Sequence, residues 1–207
     1  MSSTTDASLH RHPDLLSRHR CHILVVDMQE KLVPTIAGHM ELGRRIQFLL
    51  EAAGTLSVPV TVSEQYPAGL GPTVPTIRDH PAVGKVFEKQ RFSACEAFCE
   101  SVDLIPDMAP DAHEGRDQIL LVGIEAHVCV LQTAFDLMAA GYQAYIAEDA
   151  TGSGRANDHR SGIRRLRDAG AVICSAEGAA FEWCETAEAP EFRSMSQLIR
   201  QLRTEEA

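Results

Sequence analysis

The sequence lacks any long apolar stretch and any excess of basic residues. Its longest apolar run, residues 119–124, is far shorter than the roughly 18 residues that a membrane span needs. It has 19 Lys and Arg against 29 Asp and Glu, a formal net charge of −10. This balance argues against a general nucleic-acid binder and against attraction to an anionic membrane. No P-loop and no G-x-G-x-x-G fingerprint occurs. We therefore expect a small-molecule partner, and neither nucleic acid nor a membrane.

The first 20 residues also lack the apolar core of a secretory signal. They are rich in Ser, Thr and Arg, but Asp6 and Asp14 argue against a transit peptide. We predict that residues 1–20 are a tail, partly disordered or docking through a short helix, in a cytoplasmic protein. Residues 21–207 then form a single domain, since this length suits one domain with a sizeable core. The six cysteines are expected to be free thiols in a reducing compartment.

Apolar, β-rich runs alternate with helical patterns along the rest of the chain. The predicted strands are residues 22–26, 59–63, 85–88, 119–122, 143–147 and 171–174. Such runs, apolar on both faces, suit a parallel sheet covered by helices. Between them, apolar residues recur at helical spacing, as in residues 42–53, 131–138 and 192–202. The pattern predicts an α/β fold, a three-layer doubly wound sandwich with a mostly parallel sheet of about six strands.

The ligand site of such a sheet lies beyond the carboxyl ends of its strands. Asp27 follows the first predicted strand and could be a general acid/base if burial raises its pKa; a helix cap is the alternative. Cys129 follows the fourth strand and is predicted to open a helix over residues 129–140. Unpaired N–H groups and the helix dipole would there lower its pKa and favour a nucleophile. The alternative for Cys129 is a small buried hydrophobic residue.

Lys89 follows the third strand and could be a cation beside Asp27 and Cys129. A solvated surface lysine is the alternative, and Arg91 competes for the same role. The Pro/Gly-rich residues 65–84 are predicted to be a long loop that lines or covers a pocket. The expected pocket walls are Gln29, Tyr66, Phe92 and His127. The cysteines at positions 95 and 99 lack a second pair at zinc spacing, so they are assigned to helix packing.

Three motifs, each at a predicted strand end, resemble those of the isochorismatase-like cysteine hydrolase superfamily. They are HILVVDMQEKLVP from residue 22, VFEKQRFSA from residue 86 and LVGIEAHVCVLQTAFDL from residue 121. The segment VSEQYPAGLGPTVP from residue 62 is similar to the isochorismatase domain-containing subgroup. The resemblance implies a catalytic triad of Asp27, Lys89 and Cys129. It also implies an oxyanion hole of the Glu125 and Cys129 backbone N–H groups, a cis peptide bond between Ile124 and Glu125, and a homo-oligomer, dimer or tetramer.

Two departures from the resemblance narrow the expected chemistry. Nicotinamidases of the superfamily carry an Asp-x-His metal-binding stretch where this chain has Ser63-Glu64-Gln65-Tyr66, so we predict no metal and no cofactor. Isochorismatases proper cleave a vinyl ether and often lack the nucleophilic cysteine, so Cys129 favours acyl transfer. Our hypothesis is a hydrolase acting on small amide-like, non-peptide C–N bonds through a thioester on Cys129. The alternatives are a catalytically idle binding or scaffold module, an isochorismate-type vinyl ether hydrolase and a redox-active thiol.

Overall fold

A single parallel sheet of six strands forms the centre of the protein. The computed structural model describes residues 11–102 and 115–205. The strand order is β3-β2-β1-β4-β5-β6, and every neighbouring pair is parallel. The strands are β1 Cys21–Val26, β2 Val60–Gln65, β3 Val83–Lys89, β4 Gln118–Ile124, β5 Gln143–Gly152 and β6 Val172–Cys174. The predicted sheet is confirmed, although β5 continues well beyond residue 147.

Helices cover both faces of the sheet and make the predicted three layers. They are α1 His39–Leu56, α2 Pro67–Leu70, α3 Pro75–Arg78, α4 Cys95–Ser101, α5 Leu131–Ala139, α6 Ala156–Asp168, α7 Ala176–Cys184 and α8 Phe192–Glu205. Helices α1, α7 and α8 pack over one core, and α4, α5 and α6 pack over the other. Alternate residues of each central strand face the two cores, so Val25 faces the first and Val26 the second. No helix in the described ranges is both long and apolar enough to cross a membrane.

One sequence prediction about local structure is wrong. Residues 65–84 are not a plain loop, because they contain the one-turn helices α2 and α3. Each begins with a proline, whose fixed φ suits the first helical position. Residues 11–20 of the N-terminal tail form turns, and the short docking helix within residues 1–20 stays a prediction.

Side chains of the domain hold the N-terminal segment in place. The Leu16 side chain is fully buried, and the Leu16 N–H donates to the Glu182 carboxylate at 2.7 Å. The N–H of Ser17 donates to Gln118 Oε1 at 2.8 Å. Because these backbone donors bond to the domain, the segment docks without a helix of its own. Residues 1–10 of the predicted tail lie outside the described residues.

The strand order reverses direction between β1 and β4, and Gly123 allows these two strands to approach closely. The chain proceeds outward from β1 through β2 to β3 on one side, and from β4 through β5 to β6 on the other. Gly123 has a φ of 106°. A Cβ at this position would overlap the carbonyl oxygen of Val26 and lie 2.8 Å from its nitrogen. Position 123 lies directly beside Val26, the residue that precedes Asp27, and must therefore be glycine.

We predict that Gly123→Ala lowers the free energy of unfolding by about 2–5 kcal/mol, because positive-φ strain adds to a backbone clash. Gly141→Ala is the matched control, since Gly141 has a φ of 90° but nothing within 4 Å of an added Cβ. The control should show the cost of strain alone, about 1–3 kcal/mol. Urea unfolding of both variants measures the difference, and equal losses would contradict the proposed contact with Val26.

Candidate active site

Asp27 lies at the carboxyl end of β1 and is fully buried. Its Oδ1 accepts a hydrogen bond from Ser63 Oγ at 2.7 Å, and its Oδ2 accepts one from Lys89 Nζ at 2.7 Å. Burial raises the pKa of Asp27 above its usual range, while the Lys89 charge and the hydrogen bonds from Lys89, Ser63 and Cys129 oppose that rise. A raised pKa is the condition under which Asp27 was expected to be able to act as a general acid/base.

Lys89, the last residue of β3, supplies the cation of the site. Its ammonium also donates to Gln65 Oε1 at 2.7 Å and to the carbonyl of Phe92 at 3.0 Å. Its side chain is almost excluded from water, so the surface-lysine alternative is wrong. The Arg91 guanidinium, the competing cation, is largely exposed and pairs with Glu96 at 3.6 Å.

Cys129 does not open an α-helix as predicted. It lies in a π-helical turn, Ala126–Val130, and α5 begins only at Leu131. The peptide bond between Ile124 and Glu125, immediately before this turn, is cis. The Cys129 thiol is largely buried and lies close enough to the Asp27 carboxylate for each group to change the pKa of the other. The turn therefore brings the sulfur to the carboxylate at the end of β1.

The expectation that the pKa of Cys129 is lowered is wrong. Burial, followed by the negative charge of Asp27, raises the pKa of Cys129 to about 12. The Lys89 charge and a backbone hydrogen bond from Glu125 oppose this rise only in part. The Lys89 ammonium lies against the Asp27 carboxylate, so the negative charge of Asp27 balances much of the positive charge of Lys89. At neutral pH the sulfur of Cys129 is therefore a thiol rather than a thiolate.

The backbone around Glu125 shapes the turn that holds Cys129. The carbonyl of Glu125 accepts hydrogen bonds from the N–H groups of Val128 at 3.0 Å and Val130 at 3.2 Å, the two neighbours of Cys129. The oxyanion hole of the Glu125 and Cys129 N–H groups stays a prediction.

Gln29 braces the site and does not line an open pocket, because its side chain is fully buried. Its amide oxygen accepts from the N–H of Gln65 at 2.7 Å, and its amide nitrogen donates to the carbonyls of Gln65 at 3.0 Å and Gly71 at 2.6 Å. Sequence reasoning missed Ser63 and Gln65, which contact Asp27 and Lys89, respectively, from β2. Their spacing of two residues in a strand, which turns both side chains to one face, was the available signal.

The other predicted pocket residues lie nearer the surface. The Tyr66 and Phe92 residues are 51% and 55% exposed, and the Tyr66 ring lies over Gly69. His127 Nδ1 lies 3.0 Å from Ser153 Oγ, in the connection between β5 and α6, and 3.4 Å from Glu125 Oε2, directly before its own turn. Within residues 11–102 and 115–205, no group of three or more His, Cys, Asp and Glu side chains is placed to hold a metal ion.

Helix α6 packs directly against the turn that carries Cys129, and Gly162 makes this contact possible. A Cβ on Gly162 would lie 2.9 Å from the Cα of His127 and 3.0 Å from the carbonyl oxygen of Ala126. Both atoms belong to the backbone, so neither can rotate away. The turn is thus held between β4 on one side and α6 on the other.

We predict that Gly162→Ala lowers the free energy of unfolding by about 1–3 kcal/mol through overpacking and changes the alkylation rate of Cys129. Gly43→Ala in α1 is the control, because an added Cβ there has nothing within 4 Å. That variant should gain about 0.5–1 kcal/mol from helix propensity. Urea unfolding and peptide-resolved alkylation measure both effects. Stabilisation by Gly162→Ala would show that α6 does not constrain the turn.

Comparisons with known proteins agree with this fold. The family model described as the isochorismatase domain matches residues 21–178. The secreted isochorismatase effector Isc1 of Phytophthora sojae is 39% identical over 160 residues, 74% of this chain and 71% of that protein. Human isochorismatase domain-containing protein 2 is 32% identical over 179 residues, 86% of this chain and 82% of that protein. The structure of MAR1 ribonuclease from Caenorhabditis elegans superposes with a TM-score of 0.80 at 32% identity, covering 89% of this chain and 92% of that one. The chain belongs to the isochorismatase family.

Proposed function

We propose that the chain is a cysteine hydrolase that cleaves a small amide-like C–N bond through a thioester on Cys129. The observation that carries the proposal is the buried Asp27 carboxylate, which lies 2.7 Å from the Lys89 ammonium and whose charge acts on the Cys129 thiol. A carboxylate between a thiol and a cation can accept the thiol proton while the sulfur attacks a carbonyl carbon. The family suggests a hydrolase, and we add the type of bond that is cleaved and the mechanism of cleavage.

In the first half-reaction, Asp27 takes the proton of the Cys129 thiol as the sulfur bonds to the substrate carbonyl carbon. The carbonyl electrons move to the oxygen, which the predicted N–H groups of Glu125 and Cys129 stabilise; one such donor is worth about 10²–10³-fold in rate. When the carbonyl re-forms, the C–N bond breaks and the protonated Asp27 gives its proton to the leaving amine. The product on the enzyme is a thioester.

In the second half-reaction, Asp27 takes a proton from water, whose oxygen attacks the thioester carbon. The C–S bond then breaks, Cys129 recovers its proton, and a carboxylic acid leaves. A raised pKa suits Asp27 to both steps, because a base must accept a proton readily and later return it. Lys89 favours the ionised form of Asp27, since its charge opposes the effect of burial on the pKa of that carboxyl.

The site gives less support to the alternative functions. A binding or scaffold module has no need of a buried ion pair, which apolar residues often replace without loss of stability. Vinyl ether hydrolysis has no need of a nucleophilic sulfur beside the carboxylate, so Cys129 favours acyl transfer. The cytoplasmic location and the homo-oligomer, dimer or tetramer, stay predictions, and the Phytophthora relative is named as a secreted protein.

We predict that Cys129→Ala lowers kcat at least about 10³-fold, because the covalent step is lost. A panel of small amides, imides, esters and an isochorismate-type vinyl ether first identifies a substrate that the wild type cleaves. Cys184→Ala, which removes an equally buried thiol from the opposite core, should keep wild-type turnover. Circular dichroism checks that both variants fold. Wild-type turnover by Cys129→Ala would sink the mechanism, and no turnover of any amide would favour the binding module or the vinyl ether reaction.

A second prediction concerns the pH dependence of Cys129 alkylation by iodoacetamide, which reacts with the thiolate. Since the pKa of Cys129 is raised to about 12, the rate should rise by about tenfold per pH unit up to pH 10. A free cysteine would instead level off above a pKa of about 8.5. Peptide-resolved mass spectrometry follows the Cys129 peptide alone.

The variant Asp27→Asn separates the two roles of the carboxylate. It removes the negative charge that raises the thiol pKa, so alkylation at pH 8 should become faster than in the wild type, while turnover is lost. A wild-type rate that levels off between pH 7 and pH 8.5, or slower alkylation of Asp27→Asn, would show that the carboxylate does not control the thiol.

A further inference from the structure

Thr133 makes two buried hydrogen bonds next to the proposed nucleophile. The residue lies in α5 and is fully buried. Its hydroxyl donates to the backbone carbonyl of Cys129 at 2.6 Å and accepts from the N–H of Ala94 at 2.9 Å. A threonine hydroxyl has one donor and two acceptor sites, so it can make both bonds at once. Ala94 immediately precedes α4, so one side chain joins the turn of Cys129 to the start of that helix.

The segment between Lys89 and Ala94 forms the other side of the same arrangement. The Lys89 ammonium donates to the carbonyls of Phe92 at 3.0 Å and Arg91 at 3.3 Å. The position of these carbonyls therefore helps to decide where the ammonium lies. Hydrogen bonds connect Cys129 through Thr133 to Ala94, which ends the segment that holds Lys89. Lys89 in turn binds Asp27, whose charge acts on the Cys129 thiol. Thr133 thus connects the turn of Cys129 to the segment that positions the other two proposed catalytic groups.

We propose that Thr133 is a positioning residue that fixes the turn of Cys129 relative to the segment that holds Lys89. This inference rests on the proposed function, since it assigns a role toward the same three groups. Ala94 is fully buried, and without the Thr133 hydroxyl its N–H has no acceptor, a loss that costs more than the bond itself contributes. Residues 91–94 would move to satisfy that N–H, and their carbonyls would carry the Lys89 ammonium away from Asp27.

Moving Lys89 away from Asp27 would raise the pKa values of both Asp27 and Cys129. The groups that face the Asp27 carboxylate are Ser63 on β2, Lys89 on β3 and Cys129 in the π-helical turn. Of these, only Lys89 carries a positive charge. If Lys89 withdraws, the pKa of Asp27 rises further, and the acidic limb of the kcat/KM profile moves to higher pH. The pKa of Cys129, which the Lys89 charge lowers, rises as well.

The test compares Thr133→Val, which keeps the shape but loses the hydroxyl, with Thr133→Ser, which keeps the hydroxyl. Thr55→Val is the matched control, because Thr55 makes the same type of bond, to the Glu51 carbonyl at 2.9 Å, on an exposed part of α1. We expect Thr133→Val to lower kcat about 10–100-fold, with KM within about threefold of the wild type, and to shift the acidic limb upward. Thr133→Ser and Thr55→Val should stay within about threefold of wild-type kcat, with an unshifted limb.

Alkylation of Cys129 provides a readout that needs no substrate, so a failure of the proposed function is distinguishable from a failure of this inference. At pH 9 the Thr133→Val variant should react about tenfold more slowly than the wild type, even if Cys129→Ala were to show that the thiol is not catalytic. A folded Thr133→Val variant with the alkylation profile and kinetics of the wild type would overturn the positioning role. If Thr133→Val does not fold, Thr133→Ser decides: wild-type values support the role, and a loss above tenfold overturns it, because the hydroxyl is still present.

Discussion

The buried ion pair between Asp27 and Lys89 is the interaction on which the rest of the site depends. It joins β1 to β3 across the intervening β2, with a distance of 2.7 Å between Lys89 Nζ and Asp27 Oδ2. Removing one partner of such a pair leaves an unpaired buried charge, which costs about 3–5 kcal/mol. Two further polar groups on β2, Ser63 and Gln65, hydrogen-bond to the charged pair and help to stabilise it in the absence of water. The register of the three parallel strands thus brings together the groups that would exchange protons in the proposed reaction.

Close backbone packing determines where the thiol meets this ion pair. Gly123 lets β4 approach the end of β1, and Gly162 lets α6 lie against the turn of Cys129. At both positions a methyl group would contact backbone atoms, which cannot move independently of their elements. Thr133 adds a hydrogen-bonded link from this turn to the segment beyond Lys89. Dense packing and directional hydrogen bonds therefore both help to determine the position of the Cys129 thiol.

Comparison of the predicted and observed elements shows where sequence patterns carry information. The strands were predicted well because runs such as residues 22–26 are apolar on both faces, as a covered parallel sheet requires. The α-helix is predicted to begin at Cys129, but Cys129 and Val130 belong to a π-helical turn that packs against α6 and β4. Apolar periodicity alone does not show where such a turn ends and the helix begins. The short helices in residues 65–84 and the docked turns of residues 11–20 likewise depend on partners far along the chain.

The sequence by itself determined the fold class, the family and the three residues that meet at the carboxyl edge of the sheet. The fold class follows from apolar periodicity, and polar residues at strand ends made Asp27, Lys89 and Cys129 candidates. The family and the grouping of the three residues are what the resemblance of the three motifs implies. Only the tertiary structure decided the state of the thiol, the brace formed by Gln29 and the link made by Thr133. A pKa depends on the burial of a group and on the charges around it. The carboxylate that raises the pKa of Cys129 belongs to a different strand, so no pattern along the chain could reveal it.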